Sequence, residues 1–232
     1  MCFKNMKTLL RYFSLALSAL TLIIFCSACT PSISIQANGA DGASLTLKTG
    51  FSPLLEKTFK SMMQSISGKD SGNTENTTLF SKENISAVME AAGFINVTAS
   101  TPDTGTVSAR GNIAGISKSA LAKAGILFRT QNSLSLALGP KQFQALYAML
   151  DEESQAYFDL MMIPALNDDS MTLSQYGELL SSVYGQKFAD EITQGSLLIT
   201  LSSPDGKKKK DVEAKLGEIL TLNEEKKWTV QW

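Results

Sequence analysis

The sequence offers carboxylates, but no histidine, for acid–base chemistry. Without histidine there is no Ser-His-Asp or Cys-His mechanism and no imidazole metal site. The acids that cluster are Asp151, Glu152 and Glu153, then Asp168 and Asp169, with Glu178 nearby. A glycosidase needs two carboxyls facing each other across a cleft. The first group is instead typical of a helix start, where acids complement the dipole, and the second of a solvated loop. We therefore expect no enzyme, with a carboxylate-dependent hydrolase as the alternative.

Motifs for phosphate, nucleotide or metal binding do not occur in the sequence. The chain has neither G-x-G-x-x-G nor a Walker A motif, and residues 167–178 lack the spacing of a calcium loop. Its 21 basic and 22 acidic residues give a net charge of −1, whereas nucleic-acid binding needs a basic surface. We expect no cofactor, no metal, no nucleotide and no nucleic-acid partner.

The N-terminal segment has the composition of an export signal. It carries Lys4, Lys7 and Arg11 without an acid, and residues 12–25 are uncharged and strongly apolar. This apolar run is shorter than the roughly 20 residues that a bilayer span requires, so cleavage is favoured over a retained anchor. Met6 is an alternative start, because the residues after it already form a complete basic region.

After the apolar run, small residues, Ser27 and Ala28, precede Cys29, and no cysteine occurs after it. This stretch resembles the lipobox of bacterial lipoproteins. The resemblance implies that the signal is cut before Cys29 and that this cysteine is acylated. Position −3 is Cys26 where the family usually has leucine, which is closer to the relaxed lipoboxes of spirochaete lipoproteins. A chain exported to an oxidising space either pairs its cysteines or avoids them, and here lipid would cap the only mature thiol.

Three further features lie after Cys29: a predicted hairpin at Asp41-Gly42, the sequence at residues 176–185 and the predicted strands at residues 220–232. In these features the rest of the chain resembles a group of spirochaete lipoproteins. The resemblance implies a signal peptide at residues 1–28, a lipidated cysteine and short tether at residues 29–32, and a single domain at residues 33–232. It implies location and fold, but no activity.

Alternating and helical apolar patterns predict both strands and helices. Strand patterns pair as hairpins within residues 33–48, 94–113, 126–138 and 196–217, and a strand ends the chain. Helices are predicted after Ser52 and Ser81, from Pro140, over residues 151–162, and from Thr172 to Gly185. We predict an α+β fold with an antiparallel sheet of hairpins, packed on one face by a block of helices. Outward strand positions are mostly Ser, Thr and Asn, which indicates one wet sheet face.

Apolar residues of the helices are candidates for a ligand pocket. Methionine suits adaptable apolar sites, although core packing is the alternative explanation for such residues. The candidate lining residues are Phe59, Met62, Met63, Met89, Tyr147, Phe158 and Met162. At the C-terminus, Trp228, Val230 and Trp232 share one strand face and are predicted to lie in the core.

A run of lysines is the candidate for membrane-surface contact. It consists of Lys207, Lys208, Lys209 and Lys210, directly after a predicted turn. Lysines at a hairpin tip keep it solvated, and near an anionic membrane each contributes about 1 kcal/mol to binding. These patterns together predict a lipoprotein anchored to the bilayer by N-terminal acyl chains, facing the periplasm or the cell exterior. The expected role is non-catalytic binding or structure, with a lipid or an envelope protein as the partner; the alternative is a carboxylate-dependent hydrolase at the envelope.

Overall fold

A computed structural model describes residues 31–50, 52–58, 61, 82–103, 106–150, 152–167 and 170–232. The strands are β1 (Ser32–Asn38), β2 (Gly42–Gly50), β3 (Ile95–Asp103), β4 (Thr106–Ile113), β5 (Leu127–Thr130), β6 (Ser133–Leu138), β7 (Ser196–Ser202), β8 (Lys209–Lys215) and β9 (Lys226–Gln231). The helices are α1 (Lys82–Ala91), α2 (Ala120–Lys123), α3 (Pro140–Tyr147), α4 (Glu152–Leu160), α5 (Pro164–Asn167), α6 (Leu173–Tyr184), α7 (Gln186–Gln194) and α8 (Leu216–Leu220). Residues 53–58 are also helical.

The larger sheet has six strands in the order β3-β4-β2-β1-β7-β8. β1, the first strand along the chain, lies in the interior of this sheet, because it pairs with β2 on one side and with β7 on the other. Neighbouring strands are antiparallel except β1 and β7, which run parallel with Ser32 opposite Leu198. A parallel pair needs a long crossover, and here the crossover contains most of the chain.

The smaller sheet has three antiparallel strands in the order β5-β6-β9. Leu134 of β6 lies opposite Val230 of β9, and Leu136 lies opposite Trp228. All four of these side chains are buried, since none exposes more than 7% of its surface. The C-terminal strand is therefore part of the core, as predicted for Trp228 and Val230, whereas Trp232 is partly buried at its edge.

The core lies on one face of the larger sheet. Burial alternates along the strands, so that Ile35 and Ala37 of β1 and Ile199 and Leu201 of β7 point inward. The opposite face carries residues such as Ser34, which is exposed. This period of two is the signature of a sheet with one dry face and one wet face, and it confirms the predicted assignment of Ser and Thr to the outward positions.

Local capping signals fix several helix starts. The Thr172 hydroxyl accepts a hydrogen bond from the Gln175 amide, and the Gln175 side chain accepts one from the Thr172 amide at 2.9 Å, which completes a capping box. Ser52 caps residues 53–58 by accepting from the Leu55 amide at 3.2 Å. Gly93 ends α1 with φ of +95°, a conformation that glycine adopts without strain.

The predicted α+β class is confirmed, and three details differ from the predicted arrangement. The strands form two sheets instead of one. One pair, β1 with β7, is parallel, although hairpins alone would give only antiparallel pairs. The strand predicted to reach Gly217 stops at Lys215, because Leu216 begins α8 and its amide donates to the Gly195 carbonyl oxygen at 2.6 Å.

Candidate functional site

A polar groove lies where α6, α7 and the end of β8 meet. It has a volume of about 780 Å³. Its lining residues are Leu173, Ser174, Gly177, Glu178, Ser181, Ser182, Gln186, Thr193, Gln194 and Lys215. The α6 residues recur at spacings of three and four, so one face of that helix forms the longest wall. Hydroxyls, amides and one charge of each sign line the groove, so its chemistry suits a polar ligand.

Two glycines set the shape of the groove. A Cβ atom on Gly177 would lie 3.6 Å from Cγ2 of Thr193, an ordinary contact that shows how closely α6 and α7 cross. A Cβ atom on Gly217 would lie 2.5 Å from Cδ1 of Leu173 and 2.8 Å from Cα of Thr193. No side chain fits at this second position, so Gly217 allows α8 to pack directly beside the groove.

Several hydroxyl groups of the groove already have intramolecular partners. Ser181 Oγ donates to Gln186 Oε1 at 3.0 Å, and Ser182 Oγ donates to the Leu179 carbonyl oxygen at 2.7 Å. Thr193 Oγ1 donates to the Ala189 carbonyl oxygen at 2.7 Å. Each of these hydroxyls already donates its proton in a hydrogen bond within the chain. Only the oxygen lone pairs remain to accept hydrogen bonds, so a ligand that donates hydrogen bonds suits the groove best.

Glu178 is the only carboxylate among the residues that line the groove. Of the other predicted acids, Asp151, Asp168 and Asp169 lie outside the described residues, and the backbones of Glu152 and Glu153 lie in α4. Among the described residues, no group of three or more His, Cys, Asp or Glu side chains is placed to hold a metal ion. The groove as described therefore contains no second acid to work with Glu178.

Met89 belongs to the core beneath the larger sheet. Only 5% of its surface is exposed, and a Cβ atom on Gly111 of β4 would lie 3.0 Å from its Cε atom. Gly111 thus leaves room for the methionine, which packs there together with Phe94. At Met89, this close contact agrees with core packing, which was the alternative to a ligand pocket for the methionines of the helices.

The other predicted pocket residues lie among the helices. Tyr147 Oη donates to Asp159 Oδ1 at 3.0 Å, which joins the end of α3 to α4. Phe158 and Met162 are partly buried against the core, and Met162 has φ of +47° just after α4. None of these residues lines the polar groove. Phe59, Met62 and Met63 lie outside the described residues, as does Cys29.

The four lysines form the turn and first residues of β8, at the end of the sheet remote from the start of β1. Gln36, near the C-terminal end of β1, donates from Nε2 to the Pro204 carbonyl oxygen in this turn at 3.2 Å. Pro31, just before β1, instead contacts the beginning of β7, since its carbonyl oxygen accepts from the Leu198 amide at 3.0 Å. Along β1, Ser32 and Gln36 are about 13 Å apart at the rise of a strand.

The lysines have a structural explanation as edge-strand residues. β8 is an outer strand of the six-stranded sheet, and charged side chains on such a strand discourage pairing with another chain. Lys207 lies 3.9 Å from Asp205, whose pKa is lowered by the hydrogen bonds it accepts from the Ser203 hydroxyl and the Lys207 amide. All four lysines are exposed.

Sequence reasoning missed the groove, although its pattern is visible in the sequence. Ser174, Glu178, Ser181 and Ser182 recur along one side of a helix that was recognised only by its apolar stripe and its cap. The other wall comes from residues at the ends of α7 and β8, which only the fold brings close.

Comparison with known proteins adds no assignment for this site. No protein-family model matches the chain, and no curated protein matches it. Within the described part of the chain, no helix is both long and apolar enough to span a bilayer.

Proposed function

We propose that this protein is a membrane-anchored lipoprotein of the bacterial cell envelope with a non-catalytic binding role. Cys29 carries the acyl chains, and residues 31–232 face the periplasm or the cell exterior. The support is the export signal and lipobox-like sequence, followed almost at once by folded structure. The role is binding, because the described surface offers a polar groove and an open sheet face but no second acid beside Glu178.

The observation that carries this proposal is the position of β1. This strand begins at Ser32, and hydrogen bonding to the sheet already includes the carbonyl oxygen of Pro31. Only Thr30 separates Cys29 from that anchored carbonyl. An acylated Cys29 would therefore hold one end of an interior strand within a few residues' reach of the bilayer, at about 3.5 Å per residue.

This attachment would also orient the molecule. Lys215 pairs with Ser196 at the end of the sheet where β1 begins, so the polar groove lies at the anchored end. The four lysines lie at the other end of β1. With the strands upright on the membrane, the groove faces the lipid headgroups and the lysines face away from them. In this orientation the lysines keep the edge of the sheet soluble instead of binding the bilayer.

Metabolic labelling with palmitate tests the anchor. We expect label in the wild-type protein and none in Cys29→Ser, because the thiol is the first acceptor of lipid. Cys26→Ser is the matched control and should label as the wild type does. Equal labelling of the wild type and Cys29→Ser would exclude the proposed anchor.

The alternative, a carboxylate-dependent hydrolase, needs two acids across a cleft. Glu178 has no such partner among the described residues of the groove, so this alternative gains no support from the site.

A further inference from the structure

The wet face of the six-stranded sheet has an ordered distribution of charge. One row of outward side chains crosses the sheet in register: Thr98, Arg110, Thr46, Ser34, Thr200 and Asp211. Arg110 therefore lies on β4 near one side of the face, and Asp211 lies on β8 at the other. Four strand spacings of about 4.8 Å separate them, roughly 19 Å, so they do not pair within one chain.

The neighbouring row repeats this polarity. Lys48 of β2 lies in it, opposite Ser108 and Ser32, and Glu213 of β8 ends it, opposite Leu198. Within the described part of the chain, neither Lys48 nor Arg110 takes part in an ion pair. In these two rows the basic side chains thus lie on the β4–β2 half of the face and the acids on its β8 edge. The rows on either side add Lys209 and Lys215 to the same edge.

Hydrogen bonds confirm that these side chains share the wet face. Thr200 Oγ1 donates to Asp211 Oδ1 at 2.7 Å, and Ser196 Oγ donates to Glu213 Oε1 at 2.9 Å. Each bond orients one carboxylate oxygen and leaves the other carboxylate oxygen free to accept. Leu198, in the same face, is 38% exposed, so the face is open at this strand.

We propose that this face binds the same face of a second copy. The two copies are related by a two-fold axis that lies between the two faces, parallel to β1 and directly above it. Rotation about this axis places β4 of one copy opposite β8 of the other, and β2 opposite β7. Arg110 then faces Asp211 of the second copy twice, once on each side of the axis. The same surface serves both partners, as in any isologous dimer.

The remaining charges are compatible with this arrangement. Lys48 faces Leu198 of the second copy, one strand from Glu213, so it reaches that carboxylate diagonally. On β8, Lys209 lies in the row of Ser202, Gln36, Ser44 and Asn112, and therefore faces Asn112 of the second copy. No like charges of these rows face each other directly. At the axis Ser34 faces its own copy, and its small side chain lets the faces approach.

The direction of the axis is the one that two anchored molecules require. A two-fold axis along β1 brings the N-terminal ends of both β1 strands to the same end of the dimer. Both copies can then be held by one bilayer, which raises their effective concentration and favours even a weak polar interface. This last step rests on the proposed lipid anchor, whereas the pairing of the two faces does not.

Crosslinking of the full-length protein in isolated membranes tests the dimer. Ser34→Cys places a thiol at the axis, and a short bismaleimide should join two copies. Thr98→Cys is the matched control, because it lies in the same row on β3, which extends beyond β8 of the second copy. The unsubstituted chain reports any background through Cys2, Cys26 and Cys29. We expect several-fold more dimer from Ser34→Cys than from either control, and equal yields would overturn the proposal.

Charge exchange tests the pairing itself in the Ser34→Cys background. Arg110→Asp or Asp211→Arg alone should reduce the crosslinked dimer several-fold, because like charges then face each other. The two changes together should restore it. Unchanged yields in the single variants, or no recovery in the combined variant, would overturn the assigned interface. These exposed positions should leave the melting temperature unchanged. If a chain that carries no palmitate still forms the crosslinked dimer in detergent, the dimer proposal stands and only the proposed lipid anchor is excluded.

Discussion

The guanidinium carbon of Arg129 lies 5.5 Å from the centre of the Trp232 ring, so the end of the chain covers a cation of β5. The same guanidinium donates from Nη1 to the carbonyl oxygens of Asn38 and Gly42, and from Nη2 to that of Gly39 at 2.7 Å. Arg129 therefore joins the small sheet to the turn between β1 and β2. Burial lowers its pKa, and nearby Asp41 partly offsets this change.

Arg129→Lys should lower the free energy of unfolding by about 2 kcal/mol or more. The ammonium group of lysine is a single point of charge and cannot reach all three carbonyl oxygens as the planar guanidinium does. The partly buried carbonyl oxygens of Asn38 and Gly42 therefore lose a partner. Urea unfolding followed by circular dichroism measures the change. Arg110→Lys, at an exposed position, is the control and should stay within about 0.5 kcal/mol of the wild type. Equal effects of the two substitutions would contradict the bridging role.

Trp228→Ala should destabilise the protein by about 3–5 kcal/mol, because it empties a core site that is only 7% exposed. Trp232→Ala should cost less, since that ring is only partly buried. Removal of residues 227–232 deletes nearly all of β9 and should prevent stable folding. Thermal melting compares the three variants with the wild type. A truncated chain that melts with the full one would show that β9 is dispensable.

Stability should fall as the pH rises above about 10, the unfolded pKa of tyrosine. Burial raises the pKa of Tyr176 well above 10.0, and its hydroxyl donates to the Met161 carbonyl oxygen at 2.8 Å. Above pH 10 the unfolded state releases this proton while the folded state retains it, so unfolding is favoured as the pH approaches the folded pKa. The contribution is fully present below the unfolded pKa.

Melting temperatures at about pH 8 and about pH 11 measure this effect. Tyr176→Phe should reduce the loss between the two values, although it removes a hydrogen bond worth about 1 kcal/mol at neutral pH. Tyr184, whose pKa burial also raises, provides a second site of the same kind. An identical pH dependence in Tyr176→Phe and the wild type would exclude Tyr176 as a source of alkaline unfolding.

Gly217→Ala should destabilise the junction of α6, α7 and α8 by about 1–3 kcal/mol, since the new methyl group overlaps Leu173 and the Thr193 backbone. Gly115→Ala is the matched control. Its Cβ atom would meet Asp41 Oδ2 at 3.7 Å, and its φ of −144° suits any residue. Differential scanning calorimetry should show a lower melting temperature for Gly217→Ala alone.

Lipid binding stays a prediction for the apolar residues of the helices. Native mass spectrometry of the chain from Thr30 to Trp232, after incubation with total membrane lipid, measures it. Lipid retained at a defined stoichiometry, and lost in Phe158→Ala or Met162→Ala, would support a pocket near α4. A clean unbound mass would leave the polar groove and the sheet face as the binding surfaces.

The sequence predicts most local structure of this fold, because the signals are local. The helix starts at Ser52 and Thr172 were both predicted and are confirmed. The division into two sheets was not predicted, since alternation shows that a strand has a buried face but not which strand lies beside it. The parallel pair of β1 and β7 is a case of this kind.

The candidate site was less accessible to sequence reasoning. Lys215 and Thr193 reach the groove from different elements, and no spacing in the sequence connects them with Glu178. Polar residues on a helix surface also look the same whether they face bulk water or a groove. The charge pattern of Arg110 and Asp211 likewise becomes visible only when the strand order is known.

The parallel pairing of β1 with β7 would have a consequence for folding during the proposed export. Gln36 and Pro204, which are joined by a hydrogen bond, are 168 residues apart. A chain that crosses a membrane from its N-terminus delivers β1 early, whereas β7 arrives only after the helical segments. The interior strand of the larger sheet can pair with β2 at once but must wait for its second neighbour. Closing so long a loop is slow, so under the proposed export the sheet would be completed only when translocation is nearly finished.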